Sequence, residues 1–215
     1  MALFSKWSAR KVETEAATPA SVAEPSIDAT TSKVLPKFLS TLAQLEMPVL
    51  LDLGPVVGQN VAFFGERLSC RIHVEDLYAV LETYHRADNR TGVLDALVSR
   101  LQRVPGPVDG VLVWDFFDYL DRKIAPRVAA ELVSLVKPGG VVYGFFGTRV
   151  APMTQYTRYM VEAPNQFRQR AYPATQTLRT VFVTRDISKM FAGLNITETV
   201  LLKNSAQEVM LKRTR

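Results

Sequence analysis

Asp52, Gly54 and Gly58 fall within one stretch, Pro48 to Asn60, which reads PVLLDLGPVVGQN. The aliphatic run Val49 to Leu51 leads into it. After it, Val61, Phe64, Gly65 and Leu68 recur at helical spacing. The pattern is a buried strand, a glycine-bearing loop and a helix, and open parallel sheets bind ligands beyond the carboxyl ends of such strands. Glu75 and Asp76 close the next strand-like run, Cys70 to Val74. An acid at that tip is placed to accept hydrogen bonds from ribose hydroxyls, and Asp76 is also of the type that caps a following helix. Asp115, Asp118 and Tyr119, beside Trp114, follow a third strand-like run and are the residues best placed to hold a proton for a reacting oxygen or nitrogen, while each also suits simple capping or packing. His73 falls inside a strand and His85 at a helix end, where packing or capping accounts for them. Finally, Arg149, Arg158, Arg168, Arg170 and Arg179 are interleaved with Tyr156, Tyr159, Phe167 and Tyr172, against the lone acid Glu162. That composition fits a lid or a surface for an anionic partner, or equally a solvated insertion whose aromatics pack on the core.

The elements that must position these residues alternate. A helix is expected over Lys33 to Glu46, with Pro36 tolerated only in its first turn. Helices follow the strands at 49–51 and 70–74, and another spans 93–103 up to the stop at Pro105-Gly106-Pro107. Asp109 to Asp115 is a strand, Ile124 to Val136 a helix ended by Lys137-Pro138-Gly139-Gly140, and Val141 to Phe146 a strand. This alternation predicts an α/β fold with a parallel sheet and right-handed crossovers. Residues 148–179 break the rhythm as an arginine-rich lid or insertion. A helix over 186–194 and strands over 196–202 and 208–212, turning at Asn204-Ser205, end the chain as an antiparallel hairpin.

The 215 residues suffice for one α/β domain, here 33–215, and a leader, 1–32, too poor in large apolar groups to order itself. Within the leader, Leu3, Phe4 and Trp7 beside Lys6, Arg10 and Lys11 could dock a protein partner or could simply fray. A hydrophobic content of 47% and a charged content of 22% are ordinary for a globular protein. No apolar run approaches a membrane span, and the lone Cys70 excludes an internal disulfide and gives no metal pattern. A reduced, cytoplasmic setting fits. The net charge of +5 is too small to point to nucleic acid.

In order and spacing these pieces resemble the class I S-adenosylmethionine-dependent methyltransferases, over roughly Leu35 to the C-terminus. Leu51-Asp52-Leu53-Gly54 looks like the family's first motif, Val74-Glu75 its second-strand acid, and Val113-Trp114-Asp115 with Tyr119-Leu120 its fourth-strand motif. Leu135 to Gly140, then Val141 and Val142, is similar to its LKPGG-strand signature. The resemblance implies a Rossmann-like sheet of the seven-stranded type, mostly parallel, with helices on both faces and an antiparallel C-terminal pair. It implies S-adenosylmethionine as cofactor. Asp52 would orient the loop or the bound amine, and Gly54 to Gly58 would approach the methionine end. Glu75, with Asp76 beside it, would take the ribose, and Trp114 and Asp115 would flank the sulfonium. The acceptor would be a small molecule or a protein, with Asp115 and Tyr119 as catalytic candidates and 148–179 as lid. Val56 stands where the family loop usually has a second glycine, so a steric narrowing of the cradle is expected there. The adenine-contacting acid and the third strand are hard to find between Arg86 and Val108. A methyltransferase-like binding or scaffold protein without catalysis is the alternative.

Overall fold

The computed structural model describes residues 29–88 and 91–214. The aromatic segment at 2–11 and nearly all of the expected leader lie outside them. The folded unit begins earlier than position 33. Thr30–Thr31 forms a short strand, β1, and the Ser32 hydroxyl accepts a hydrogen bond from Leu35 N while donating to the buried Glu208. That bond starts α1 (Leu35–Leu42), with its proline in the first turn, as Pro36 requires. The chain continues through β2 (Val49–Asp52), α2 (Gly58–Leu68), β3 (Arg71–Val74), α3 (Leu77–Arg86), α4 (Val93–Leu101) and β4 (Val108–Trp114). A 3-10 turn over Phe116–Tyr119 leads to α5 (Ala125–Leu135), β5 (Val136–Gly147), β6 (Pro152–Ala163) and β7 (Gln166–Leu178). Then come α6 (Thr184–Met190), β8 (Leu194–Leu201) and β9 (Ala206–Arg213).

The main sheet has the order β3-β2-β4-β5-β9-β8. Strands β2 to β5 pair in parallel, whereas β9 runs antiparallel to both β5 and β8. This is the mostly parallel α/β sheet with an antiparallel C-terminal pair that the resemblance implies. It has six strands instead of seven. Only residues 87–92 separate α3 from α4, and the two helices pack on each other, so among the described residues no strand occupies the third-strand place. The chain leaves β2 for β3 on one side and returns to β4 on the other, which puts the reversal of strand order at the carboxyl ends of β2 and β4.

Strand β4 is buried along its whole length because both sheet faces are covered. Helices α3 to α6 pack one face, around Leu97, Val111, Leu132 and Phe191. Helices α1 and α2 pack the other, around Phe38, Phe64, Trp114 and Tyr143. The terminal helix is shorter than its apolar pattern suggested, since Gly193 turns at φ +100° and Leu194 already belongs to β8.

Residues 148–179 are an ordered pair of long strands. β6 and β7 form a hairpin that takes β1 as its third strand, and its inner residues Tyr159, Val161 and Phe167 join the α1–α2 core. Close backbone approach explains one glycine in the sheet. A Cβ on Gly144 would stand 2.3 Å from Val113 Cγ2 and 2.7 Å from the Trp114 carbonyl oxygen. The backbone of β4 cannot yield, so Gly144→Ala is expected to cost about 3 kcal/mol, read as a lowered denaturation midpoint. A midpoint within error of the parent would mean that β4 and β5 separate more easily than their packing implies.

Candidate functional site

Asp52 ends β2 with its side chain 2% exposed. Its Oδ1 accepts from Gly54 N at 2.9 Å and from Trp114 Nε1 at 2.6 Å. Burial raises the Asp52 pKa to about 6, and these two donors limit the rise. Trp114 ends β4 in the left-handed region, at φ +47°, an unfavourable conformation for a bulky residue. The backbone turn throws the indole across the loop. A Cβ on Gly54 would lie 2.9 Å from Trp114 Cδ1, so this position needs glycine because of the tryptophan above it. Val56 is 68% exposed, and the residue that crowds Gly54 within the folded chain is Trp114.

The indole is held in turn by the hairpin. The Tyr159 ring stacks on Trp114 at 5.0 Å and 2°, and Phe145 stacks at 6.4 Å and 17°. Asn60, in the first turn of α2 and 1% exposed, grips β6 with both ends of its amide. Its Nδ2 donates to the Tyr159 carbonyl at 2.7 Å, and its Oδ1 accepts from Val161 N at 2.8 Å. Gln59 Nε2 donates to the Val161 carbonyl at 3.0 Å. Further along, Tyr119 OH donates to the Gln155 carbonyl, and Glu82 of α3 accepts from Thr175 N and Oγ1 of β7. The hairpin therefore lies across the carboxyl edge of the sheet, docked on α2 at one end and α3 at the other. Gly58, at the start of α2, has open space where a Cβ would be.

Glu75 follows β3, and its Oε2 accepts from Arg100 Nε at 2.8 Å. Asp76 caps α3 by accepting from Ala79 N, the capping role expected for it. The loops after β2 and β3 are joined by their backbones, with Glu75 N donating to the Asp52 carbonyl at 2.8 Å and Leu77 N to that of Leu53 at 3.2 Å.

Asp115 is 7% exposed and accepts from Tyr78 OH at 2.6 Å. Burial raises its pKa, against the effect of the tyrosine hydroxyls. Asp118 is buried beneath it. Gly147 N donates to both of its carboxylate oxygens, at 2.9 and 3.0 Å, and Arg179 Nε stands 3.1 Å from Oδ2. Burial first, then the charge of Asp115, lift the Asp118 pKa to about 8 despite those donors. Tyr119 packs edge-on to Tyr78 and lies 4.8 Å from the Tyr156 ring. Burial moves its phenol far above the ordinary tyrosine value, so it is a hydrogen-bond donor and not an anion at neutral pH.

The structure thus brings Asp52, Gly54, Trp114, Asp115 and Tyr119 together around the strand-order reversal, with Glu75 on the neighbouring strand end. Four of the five arginines are not part of this group. Arg149, Arg158, Arg168 and Arg170 are exposed on the hairpin and its approach, with Arg168 paired to Glu162 and Arg158 over the Tyr172 ring. Asn60, Tyr78 and Arg179 are the site residues that sequence reasoning undervalued. A polar Asn in the first turn of an apolar helix was the available signal for Asn60. Tyr78 had none, because its partner lies across the fold.

Two cavities open along this edge. The smaller, about 230 Å³, is lined by Asp115, Tyr119, Gln155, Thr157 and Arg179 among others. The larger, about 530 Å³, lies between α3, the start of α4, the segment before α5 and the end of β7, and Tyr119 borders both. Among the described residues no cluster of side chains suits a metal ion, and no helix is long and apolar enough to cross a membrane.

No protein-family model matches the chain. No curated protein matches it either. It is similar to several solved structures. One is CalS10, an amino pentose methyltransferase from Micromonospora echinaspora with S-adenosylmethionine bound, at 14% identity and a TM-score of 0.43 over 84% of this chain and 90% of that one. Another is a 1,6-didemethyltoxoflavin-N1-methyltransferase from Burkholderia thailandensis, at 14% and 0.47 over 86% of this chain and 80% of that one. A third is DesVI of Streptomyces venezuelae, at 16% and 0.46 over 85% of this chain and 93% of that one. All three are distant, and the fold rests on the strand order and directions given above.

Proposed function

We propose that this chain is an S-adenosylmethionine-dependent methyltransferase of a small-molecule acceptor, with the β6–β7 hairpin as a gate over the cofactor groove. The observation that carries this reading is the convergence of Asp52, Gly54, Glu75 and Asp115 on adjacent strand ends at the reversal of strand order. The residue types fit the cofactor: Glu75 for ribose hydroxyls, the Asp52–Gly54 loop for the methionine end, and Asp115 beside the reacting centre. The space does not fit it while the hairpin is docked. Trp114 covers Gly54, Arg100 holds Glu75, and β6 lies against the first turn of α2. Cofactor entry therefore requires the hairpin to lift. The cofactor, when bound, supplies an activated methyl group. The chain supplies position, exclusion of water under the hairpin, and a buried carboxyl at Asp115 to take a proton.

The second reading is a scaffold that kept the fold and lost transfer, and the filled groove favours it. One titration separates the two. Asn60 makes two buried hydrogen bonds to β6, each worth on the order of 1 kcal/mol. Removing them in Asn60→Ala raises the lifted fraction, so calorimetric affinity for S-adenosylmethionine is expected to rise about tenfold over the parent. Glu75→Gln on that background is expected to reverse the gain. Absence of heat from parent and variant at millimolar cofactor would overturn the methyltransferase reading in favour of the scaffold.

A further inference from the structure

The larger cavity belongs to none of the cofactor contacts above. Its volume, about 530 Å³, is in the range of cavities that enclose small ligands. Its walls are chemically uniform in one respect. Leu81 and Tyr84 of α3, Val93 of α4 and Ile124 before α5 make apolar sides, while Gln176, Thr177 and Thr180 offer neutral donors and acceptors. Among the described residues neither lysine nor arginine lines it, and its one imidazole, His85, shares the wall with the carboxylate of Asp121, so an anionic ligand meets no net positive charge there. Its one carboxylate, Asp121, is already held as the cap of α5, where Oδ1 accepts from Lys123 N at 2.7 Å and Ile124 N at 3.0 Å, and it sits in solvent at the rim. A cation there is screened and gains little.

Tyr119 is fixed. Its hydroxyl is bonded to Gln155, and its ring is wedged against Tyr78 and Tyr156. It presents an immobile aromatic surface to the cavity, and on its other side lies the small pocket that holds Asp115.

We propose that this cavity binds a small, uncharged, planar molecule, an aromatic or heteroaromatic ring with hydrogen-bonding substituents, packed between α3 and β7 beside Tyr119. Resting on the methyltransferase reading, this molecule is the methyl acceptor, since Tyr119, which lines the cavity, also lines the pocket that Asp115 borders. The exposed arginines of the hairpin then have no part in holding it.

The test uses the whole chain without cofactor. Three probes of similar size and different charge are titrated and followed by saturation-transfer NMR: indole, benzoate and benzylamine. Indole is expected to saturate and to bind at least tenfold more tightly than either charged probe. Thr177→Trp, which fills the cavity, is expected to weaken indole at least tenfold. Leu178, at the mouth and 63% exposed, provides a second blocking variant, Leu178→Trp, at a position where the fold does not depend on the side chain. Benzoate or benzylamine binding as tightly as indole would overturn the assignment of ligand class. Indole binding that survives both variants would overturn the site. Indole binding without any S-adenosylmethionine binding to the parent or to Asn60→Ala would remove the acceptor role and leave the site standing.

Discussion

Trp114→Ala is expected to lower stability by about 3–5 kcal/mol, the range for removing a large buried aromatic, and the melting temperature by roughly 10 °C. The indole is 2% exposed, stacks on Tyr159, which in turn stacks on Phe145, and donates to the carboxylate of Asp52. Its loss empties the joint between β4 and the hairpin and leaves Asp52 buried with one donor fewer. Amide exchange should rise across 155–163 as the hairpin loosens. The backbone offers an internal control. At φ +47° a side chain is strained, so Trp114→Gly is expected to be more stable than Trp114→Ala by about 1 kcal/mol, the reverse of the usual order within a strand. An alanine variant that melts with the parent would show that the hairpin is held by other contacts.

Asp118→Asn is expected to flatten the dependence of stability on pH. The Asp118 carboxyl is raised to about 8 and that of Asp52 to about 6, both by burial. Their unfolded values lie near 3.9, so between those limits the folded state binds more protons than the unfolded state. Stability contributed by the protonated forms is then full near pH 4 and is lost as pH rises, through about 6 for Asp52 and about 8 for Asp118. The parent's urea midpoint should fall steadily from pH 5 to pH 8. In Asp118→Asn the amide still accepts from Gly147 N and carries no charge at any pH, so the part of the slope above pH 6 should disappear while the Asp52 part remains. Superimposable slopes in parent and variant would mean that Arg179 and Gly147 N keep Asp118 ionised throughout.

The two effects meet in one place. Trp114 and Asp118 lie within five residues of chain around Asp115, and each touches the hairpin or its end, Trp114 through Tyr159 and Asp118 through Arg179.

Much of the frame was legible from residue order alone. The runs expected as strands at 49–51, 70–74 and 109–115 match β2, β3 and β4 to within a residue: β2 and β4 are continuously apolar because both faces of the sheet are covered there, β3 is a half-buried edge strand, and the helices between them keep a 3.6-residue apolar period. Asp76 as a cap, Pro36 in a first turn and the Asn204-Ser205 turn are local chemistry, and each is found as its residue type predicts. The hairpin was not legible as one. Its turn, Pro164-Asn165, joins strands whose alternation is blurred by Arg and Tyr side chains that fold over each other, as Arg158 does over Tyr172.

What the sequence by itself determined is which chemical groups exist and at which strand end each one stands, because hydrophobic period and turn chemistry act over a few residues. What only the tertiary structure decided is whether those groups face a ligand or one another. Asp52 meets Trp114 across 62 positions, Asp115 meets Tyr78 across 37, and Asn60 meets Val161 across 101. Such pairings follow from the path of the chain across the sheet edge, where burial favours polar atoms that find a partner in the chain itself.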